Sequence, residues 1–161
     1  MSLEELNNFL EKASLATYAG NGERVKSEKK GFYELEYKEG DFYYRDSFAG
    51  YLSSHGQEVV WYKEEPVWMC SYAGGMCGSK SDDSKFAHET FEFLKSALRA
   101  GEKDGKFQPR GPQDFTDGDF AYRNDWSGDI KEFRGEENIV YNGEVVFTHS
   151  YFGGMLRNGR E

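Results

Sequence analysis

The chain lacks long apolar runs, has few cysteines and carries fewer basic than acidic residues. No segment approaches the ~20 apolar residues that a membrane-spanning helix requires, so we expect no membrane partner. The first residues, MSLEELNNFLEK, are acidic and amphipathic, unlike a signal peptide. Two cysteines, Cys70 and Cys77, without an export signal fit a reducing compartment. The sequence therefore predicts a cytoplasmic protein.

Basic residues are too few to suit a nucleic-acid partner. The chain has 20 Lys and Arg against 29 Asp and Glu, which gives a net charge of −9. Most of such a surface repels a phosphate backbone, so we expect no direct binding of nucleic acid. The basic run at 26–30 is short and is interrupted by Glu28, and we interpret it as a solvated loop.

Familiar catalytic and metal-binding patterns are also missing. The histidines are His55, His88 and His149. They show no metal-ligand spacing among themselves or with cysteine, so neither a metal nor a cofactor is predicted. There is no G-x-S-x-G sequence and no local Cys–His signature. The glycine-rich run at 73–81 fails as a phosphate loop, because Ser79 separates Gly78 from Lys80.

What the chain does contain is a repeat, because the stretch Gly40–Met76 recurs as Gly118–Met155. The first copy reads GDFYYRDSFAG and then GQEVVWYKEEPVWMCSYAGGM. The second copy reads GDFAYRNDWSG and then GEENIVYNGEVVFTHSYFGGM. The offset is 78 residues as far as Gly50 and 79 residues from Gly56 onward. A duplication of this kind predicts one structural unit that is used twice.

One helix is predicted ahead of each copy. Ser2 and Glu5 form an S-x-x-E capping box, and an apolar stripe at helical spacing follows them. The second helix should begin near Asp82–Ser84, with an apolar face from Phe86 onward, and Gly101 should stop it.

The remaining segments predict antiparallel strands. In the first copy these are Phe32–Tyr37, Asp41–Phe48, Glu58–Tyr62 and Val67–Tyr72. The second copy repeats this order with Phe120–Trp126, Asn138–Tyr141 and Glu144–Tyr151. The pair Asn142-Gly143 is a strong hairpin signal. The segment Gly101–Pro112, which contains Gly, Lys and Pro, is predicted to be a surface loop.

These elements predict an α+β fold of two tandem α-β-β-β-β repeats, each a helix laid on an antiparallel meander. The first repeat is 1–78 and the second is 79–161. We expect them to pack as one compact domain, 1–161, with approximate two-fold pseudosymmetry. The pattern leaves open whether the two sheets join edge to edge or stack.

Each copy carries the signature G-D-aromatic-x-Y-R, which places its arginine on the strand face opposite the aromatic residue. On one interpretation, Arg45 and Arg123 bind an anion in a cleft, because a guanidinium suits planar, bidentate partners. On the other, each arginine makes a structural pair with Asp41 or Asp119, or with a residue on the next strand.

Aromatic residues are abundant, with 13 Phe, 11 Tyr and 3 Trp. Most of them must pack in the core, but a sheet this aromatic can also leave a concave pocket with polar tips. The candidates for the wall of such a pocket are Tyr44, Trp61, Trp68, Tyr122 and Trp126. For each of these residues, core packing is the alternative.

His149 is a further candidate for the site, because it aligns with Cys70 of the first copy. A residue that both copies keep serves the repeated unit, whereas a histidine found in one copy is a better candidate for a site. The alternative is a strand histidine whose hydrogen bonds are satisfied within the fold. The carboxylates mostly fall in turns, and no pair of them is selected for acid–base work.

Several strings resemble a known family. They are TYAGNG at Thr17–Gly22, EGDFYY at Glu39–Tyr44, RGPQDFTDGDFAYR at Arg110–Arg123 and YFGGM at Tyr151–Met155. Over about Leu15–Met155 the chain resembles a prokaryotic family catalogued as a domain of unknown function, which in some members follows an XRE-type helix-turn-helix. It is similar to the stand-alone form, since it starts directly with its first helix. By analogy the resemblance implies a sensor or oligomerisation role, and it carries over no catalytic residue.

Three functions are compatible with these features. The first is a binding or sensor-like domain whose small-molecule ligand lies in an aromatic cleft at the junction of the repeats, with Arg45, Arg123 and tyrosines as polar contacts. The second is an enzyme of the hydrolase or isomerase type that uses His149 or a cleft carboxylate. The third is a protein–protein interaction module that pairs with another protein or forms a homodimer.

Overall fold

The computed structural model describes residues 1–101 and 105–157. These residues form two α-helices, Leu3–Ala16 (α1) and Ser84–Arg99 (α2), a 3₁₀ helix at Gly78–Lys80, and eight β-strands. The strands of the first half are Tyr33–Glu39 (β1), Phe42–Gly50 (β2), Ser53–Tyr62 (β3) and Glu65–Met76 (β4). Those of the second half are Asp114–Asp117 (β5), Phe120–Asp129 (β6), Glu132–Tyr141 (β7) and Glu144–Met155 (β8).

Both predicted helix starts are confirmed. The Ser2 hydroxyl accepts a hydrogen bond from the Glu5 backbone at 3.1 Å, and the Glu5 carboxylate accepts one from the Ser2 backbone at 2.5 Å. This is the reciprocal capping box, which satisfies amide groups at the start of α1. At α2 the Asp83 carboxylate accepts the Phe86 N–H at 3.0 Å. Neither α1 nor α2 is long and apolar enough to cross a membrane.

The predicted order of strands is confirmed, but several strands are longer than the sequence pattern indicates. β3 begins at Ser53 rather than at Glu58, and β7 also begins earlier than predicted. The added residues are mostly polar or glycine, which have low strand preference. They are extended because they pair on both sides, as Gln57 does with Ser47 and Ser71. Neighbouring strands therefore override the local preference.

The eight strands form one antiparallel sheet in the order β1-β2-β3-β4-β8-β7-β6-β5. Each half contributes a four-stranded meander, and the meanders meet where β4 pairs with β8. This pairing, hereafter the seam, runs from Trp68 opposite Met155 to Met76 opposite Phe147. The two halves of this α+β fold thus join edge to edge in a continuous sheet and do not stack.

Both helices pack on the same face of the sheet, hereafter the covered face. In α1, Phe9 stacks on Phe42 of β2 with their ring centroids 4.7 Å apart. In α2, Phe93 stacks on Phe120 of β6 at 5.0 Å. Since side chains alternate along a strand, every second residue of each strand points toward this face.

The apolar core forms two clusters, and each draws residues from both halves. The cluster beneath α1 includes Trp68 of the first half and Phe133 of the second, whose rings stack at 5.7 Å. The cluster beneath α2 includes Met76 of the first half together with Phe147 of the second. Each square ångström of apolar surface that these contacts bury stabilises the fold by about 25 cal/mol. Shared burial of this kind holds the two halves together.

The prediction of a surface loop at Gly101–Pro112 is wrong for its last part. Residues 102–104 of that segment lie outside the described residues. Further along, Pro109 and Gly111 are buried, and the side chain of Arg110 is 9% exposed. The segment therefore places a buried arginine against the covered face, on the side of the helices.

Two side chains of β6 hold this segment in the interior. The Gly111 N–H donates to the Tyr122 hydroxyl at 3.1 Å, and the Gly111 carbonyl accepts from the Asn124 amide at 3.0 Å. A buried loop normally leaves backbone polar groups without partners, which is why loops usually stay at the surface. Here both groups of Gly111 are satisfied, so the chain can enter the interior.

Candidate functional site

A cavity of about 380 Å³ lies between the covered face of the sheet and the two helices. Its size falls within the ~300–1,000 Å³ typical of small-molecule sites. The strands supply a polar wall of Tyr44, Asp46, Ser54, Glu58, Tyr72 and His149. The helices supply an apolar wall of Leu10, Leu15, Phe91, Leu94 and Leu98, and they also bring polar side chains to the lining, among them Glu11, His88, Glu92 and Lys95. An apolar wall opposite convergent polar groups is the usual form of a ligand site.

Arg110 bridges two carboxylates at the polar end of this cavity. Its Nη2 and Nε atoms lie 2.9 and 3.0 Å from Glu137 Oε1, and its Nη1 lies 3.3 Å from Glu58 Oε1. Glu58 belongs to β3 and Glu137 to β7, so the guanidinium joins the two halves of the sheet. A charge buried this deeply requires such partners, because its desolvation is costly.

Glu137 is fully buried and has partners on every side. Besides Arg110, the Tyr122 hydroxyl donates to its Oε2 at 2.7 Å, and His149 Nδ1 lies 3.2 Å from its Oε1. Burial alone would raise the pKa of Glu137, but the charge of Arg110 and the contacts with His149 and Tyr122 outweigh burial and lower it to about 2. Glu137 is therefore ionised at neutral pH.

Asp46 and Glu58 form a second acidic pair on the wall of the cavity. They are direct cross-strand neighbours on β2 and β3, and the Tyr72 hydroxyl donates to Asp46 Oδ1 at 2.7 Å. Burial raises the pKa of Asp46 to about 6 and that of Glu58 to about 7, although Arg110 opposes both shifts. The two carboxyl groups therefore exchange protons close to neutral pH.

His149 lies between a carboxylate and a hydroxyl. Its Nδ1 faces Glu137, and its Nε2 lies 3.4 Å from Ser54 Oγ. Because Glu137 is ionised, we assign the Nδ1 proton as the donor in that contact, which leaves Nε2 toward the hydroxyl. Hereafter the charged cluster is the set Asp46, Glu58, Arg110, Glu137 and His149.

One row of residues across the sheet explains how His149 reaches Ser54. Ser54, Gly74, His149 and Glu137 are successive partners on β3, β4, β8 and β7. A Cβ atom at position 74 would lie 2.9 Å from His149 Cδ2 and 2.0 Å from the carbonyl oxygen of Thr148. Gly74 also has a φ of +146°, where glycine is favoured. The absent side chain at position 74 leaves room for the imidazole to cross β4.

Four of the eight predicted site residues belong to this region. Tyr44, Trp68 and His149 line the cavity, and Tyr122 contacts Glu137 behind it. Trp68 also donates its indole N–H to the Ile130 carbonyl at 3.1 Å, which fixes the ring across the seam.

The other four predicted residues do not line the cavity. Arg45 lies on the opposite face of the sheet, where it forms ion pairs with Glu36 and Glu34 of β1. Glu36 is its direct cross-strand partner, as the structural alternative for this arginine required. The remaining three are Trp61, whose ring is tilted against that of Tyr43 at 5.2 Å, the exposed Arg123, and Trp126, which packs against the core cluster beneath α1.

Sequence reasoning missed Arg110, Glu58, Glu137, Asp46 and Ser54. Two signals for them were present. Glu58 and Glu137 are identical at corresponding positions of the two copies, and Arg110 begins the string RGPQDF. Charged residues are rarely buried, so composition alone assigns such residues to turns and loops.

The cluster offers three chemical elements. The pair Asp46 and Glu58 can exchange a proton near neutral pH, His149 places an imidazole nitrogen beside a hydroxyl, and Arg110 supplies a buried positive charge. Within the described ranges, no group of three or more His, Cys, Asp or Glu side chains is arranged to hold a metal ion.

A family model described as a domain of unknown function (DUF5680) matches residues 46–156. Because the match spans more than half of the chain, the protein belongs to this family. The matched range contains the whole charged cluster and leaves α1 and β1 outside. No curated protein and no solved structure matches the chain.

Proposed function

We propose that this DUF5680 protein binds a small molecule in the cavity at the seam. The observation that carries the proposal is the charged cluster itself, which lies against a cavity of about 380 Å³ beneath two amphipathic helices. Buried ion pairs are weak sources of stability, since apolar residues of similar volume often serve as well or better. Carboxyl groups with displaced pKa values in a cleft are instead typical of functional sites.

The charge of the site favours a neutral or cationic ligand. Arg110 is already paired with Glu137 and Glu58, so an anionic ligand would have to displace one of those carboxylates. Asp46 adds a further carboxyl group to the wall. The apolar side chains that the helices bring to the cavity would cover an alkyl or aryl portion of the ligand; they are Leu10, Leu15, Phe91, Leu94 and Leu98.

We further propose that the two sequence copies are structural repeats about an approximate two-fold axis at the seam. From either edge of the sheet inward, the four strands of a half follow one another in chain order, β1 to β4 on one side and β5 to β8 on the other, and this arrangement supports the proposal. Two corresponding tyrosines support it as well: Tyr72 donates to Asp46 at 2.7 Å and Tyr151 donates to Asn124 at 2.6 Å. On this proposal the ligand site lies where the repeats meet, and each repeat supplies one glutamate of the Arg110 bridge.

A thermal-shift screen of neutral and cationic metabolites tests the binding function. A ligand present at 100 times its Kd stabilises the folded state by about 2.7 kcal/mol, because it binds the native state alone. For a chain of this size, that raises the midpoint of unfolding by roughly 5–10 °C.

The matched variants for this screen are Glu58→Gln in the cavity wall and Arg123→Gln on the exposed surface. The shift should shrink in the first variant and persist in the second. The binding function is overturned if no compound shifts the midpoint, or if every shift is the same in both variants.

A further inference from the structure

Ser54 is partly exposed and lies between two glycines of the sheet. Its cross-strand partners are Gly50 on β2 and Gly74 on β4, and neither has a side chain. The hydroxyl lies in the cavity wall, and the imidazole of His149 occupies the space that the missing side chain of Gly74 leaves. A serine hydroxyl can act as a nucleophile when an adjacent base removes its proton.

An imidazole stands beside that hydroxyl. Nε2 of His149 lies 3.4 Å from Ser54 Oγ, slightly longer than the ~2.6–3.2 Å of a nucleophile–base pair, and such distances are often looser before a substrate binds. The histidine is 5% exposed and its ring packs against Phe147 at 4.5 Å and Tyr72 at 5.6 Å. These contacts hold the ring in a fixed orientation.

Glu137 completes the arrangement from the other side of the ring. Its contact of 3.2 Å with Nδ1 favours the tautomer that leaves a lone pair on Nε2, facing Ser54. Arg110 and Tyr122 anchor the carboxylate, so it cannot turn away from the histidine. A carboxylate that orients an imidazole toward a hydroxyl is the arrangement of an acyl-transfer centre.

A corresponding row, in which residues of the two copies exchange places, serves as an internal control. There, Phe133, Gly153, Cys70 and Glu58 are successive partners across β7, β8, β4 and β3. This row keeps the carboxylate and the central glycine, but it has a thiol in place of the imidazole and a phenyl ring in place of the hydroxyl. A purely structural requirement of the unit would be met in both rows. The hydroxyl and the imidazole therefore belong to one row for a separate reason.

We propose that Ser54, His149 and Glu137 form an acyl-transfer centre that hydrolyses small carboxylic esters bound in the cavity. Ser54 Oγ attacks the acyl carbon while its proton passes to His149 Nε2. The bond to the leaving alkoxide then breaks, and His149 returns the proton to that oxygen. Water hydrolyses the acyl-serine by the same two proton transfers, which releases the acid and restores the hydroxyl. Ser54 and His149 are the catalytic residues, and Glu137 is a positioning residue.

The cavity also defines the class of ester. Its apolar wall suits an alkyl or aryl group, and Asp46 and Glu58 disfavour an anionic one. Since this activity rests on the proposed function, its test must separate a loss of reaction from a loss of binding.

The experiment treats the full chain with a small alkyl fluorophosphonate, which phosphonylates activated serines, and locates the adduct by peptide mass spectrometry. We expect one adduct, at Ser54. The Ser54→Ala variant should lose it, and the Ser53→Ala variant, with an exposed serine one residue earlier, should keep it. His149→Asn should slow labelling by about 10²–10⁴-fold, the range that a positioned base supplies.

Hydrolysis of 4-nitrophenyl butyrate provides the second readout. The wild type should turn this ester over faster than the anionic 4-nitrophenyl hemisuccinate, and Ser54→Ala should abolish turnover. Glu137→Gln should lower the rate and move its pH profile, which a merely structural role would not do. The matched ester pair thus reports the charge preference of the cavity.

An adduct at any other residue of the wild type, or no adduct, overturns the acyl-transfer centre even if a variant fails to fold. If ligands from the thermal-shift screen still bind while Ser54 stays unlabelled, the catalytic inference falls and the binding function stands. If neither binding nor labelling occurs, both fall.

Discussion

The two glutamates that share Arg110 occupy corresponding positions on either side of the seam, yet they ionise differently. The pKa of Glu137 is lowered to about 2, because Arg110, His149 and Tyr122 outweigh its burial. Burial and the neighbouring carboxyl group of Asp46 together raise the pKa of Glu58 to about 7, although Arg110 opposes the shift. The pKa of a glutamate at corresponding positions of the two copies therefore depends more on its partners than on its place in the sheet.

Two differences between the copies produce this contrast. Asp46 corresponds to Asn124, and Cys70 corresponds to His149. Within the charged cluster, the first half thus contributes one more carboxyl group and no imidazole. The shared guanidinium of Arg110 lies closer to the glutamate of the second half than to that of the first. A repeat with identical halves would balance the cluster, whereas these differences leave one half with fixed charge and the other with exchangeable protons.

The largest expected effect is the loss of the shared guanidinium in Arg110→Met. This variant leaves Glu137 buried without its cation, so we expect the free energy of unfolding to fall by about 3–5 kcal/mol. The matched control is Lys12→Met, which removes an ion pair with Glu39 whose partners are about half exposed. That variant should cost far less, because an exposed ion pair is screened by solvent and contributes little to stability.

Urea denaturation at neutral pH, followed by tryptophan fluorescence, measures both free energies of unfolding. Failure of Arg110→Met to fold counts as a loss at least as large as the one expected. Equal costs for the buried and the exposed pair would show that Arg110 does not hold the two halves together.

Much of the framework of this site could be predicted from the sequence. The repeat, the capping box of α1 and the strand order are local or periodic signals, and alternation along the strands brought Tyr44, Trp68 and His149 to the cavity wall. The same alternation placed Arg45 on the opposite face, where Glu36 pairs with it across β1 and β2.

Arg110 could not be predicted in this way, because its burial depends on partners distant in sequence. Its segment reads as a solvated loop until Tyr122 and Asn124 of β6 bind the backbone of Gly111. Asp46 lies two residues after Tyr44 on β2, so its side chain points to the same face of the sheet. A carboxyl group is expected to be buried there only if a buried guanidinium is known to pair with it. The charged cluster therefore depends on tertiary contacts, whereas the strands and helices around it follow from local sequence patterns.

The second-largest expected effect is a dependence of stability on pH, which reflects the different pKa values of the carboxyl groups in the two halves. The folded pKa values of Asp46 and Glu58 lie above the unfolded ones, so their contribution is full below about pH 4 and is lost as pH rises through about 7. Glu137 acts in the reverse sense, since its contribution is present above about pH 4.5 and is lost as pH falls toward 2. Stability should therefore be greatest at mildly acid pH.

Between about pH 5 and pH 8 the free energy of unfolding should fall by on the order of 3 kcal/mol, given 1.4 kcal/mol for each pKa unit. Urea denaturation at intervals across this range gives the slope. Asp46→Asn, which introduces the residue of the second copy, should flatten it. A slope that this variant leaves unchanged would contradict the assignment of the exchangeable protons to the first half.

Gly74→Ala should have a smaller effect, and it tests the row that carries His149. The new methyl group would meet the Thr148 carbonyl at 2.0 Å, and the backbone would be strained at a φ of +146°. We expect a loss of about 2–3 kcal/mol. The control, Gly143→Ala, also has a positive φ of +84° but nothing within 4 Å of the added carbon, so it should cost about 1 kcal/mol.

Thermal unfolding of the two glycine variants gives the comparison directly. Similar losses would mean that backbone strain alone, and not the close approach of β8 to β4, requires glycine at position 74.

The smallest expected effect comes from the two corresponding tyrosines. Tyr72 donates to the carboxyl group of Asp46, and Tyr151 donates to the neutral amide of Asn124, at nearly equal distances of 2.7 and 2.6 Å. A hydrogen bond to a charged acceptor contributes about 1.5–3 kcal/mol and one to a neutral acceptor about 1 kcal/mol. Near pH 8, where Asp46 is ionised, Tyr72→Phe should therefore cost about 1 kcal/mol more than Tyr151→Phe. Near pH 5 Asp46 is largely protonated, so the difference should shrink, and a difference independent of pH would show that Asp46 does not titrate in this range.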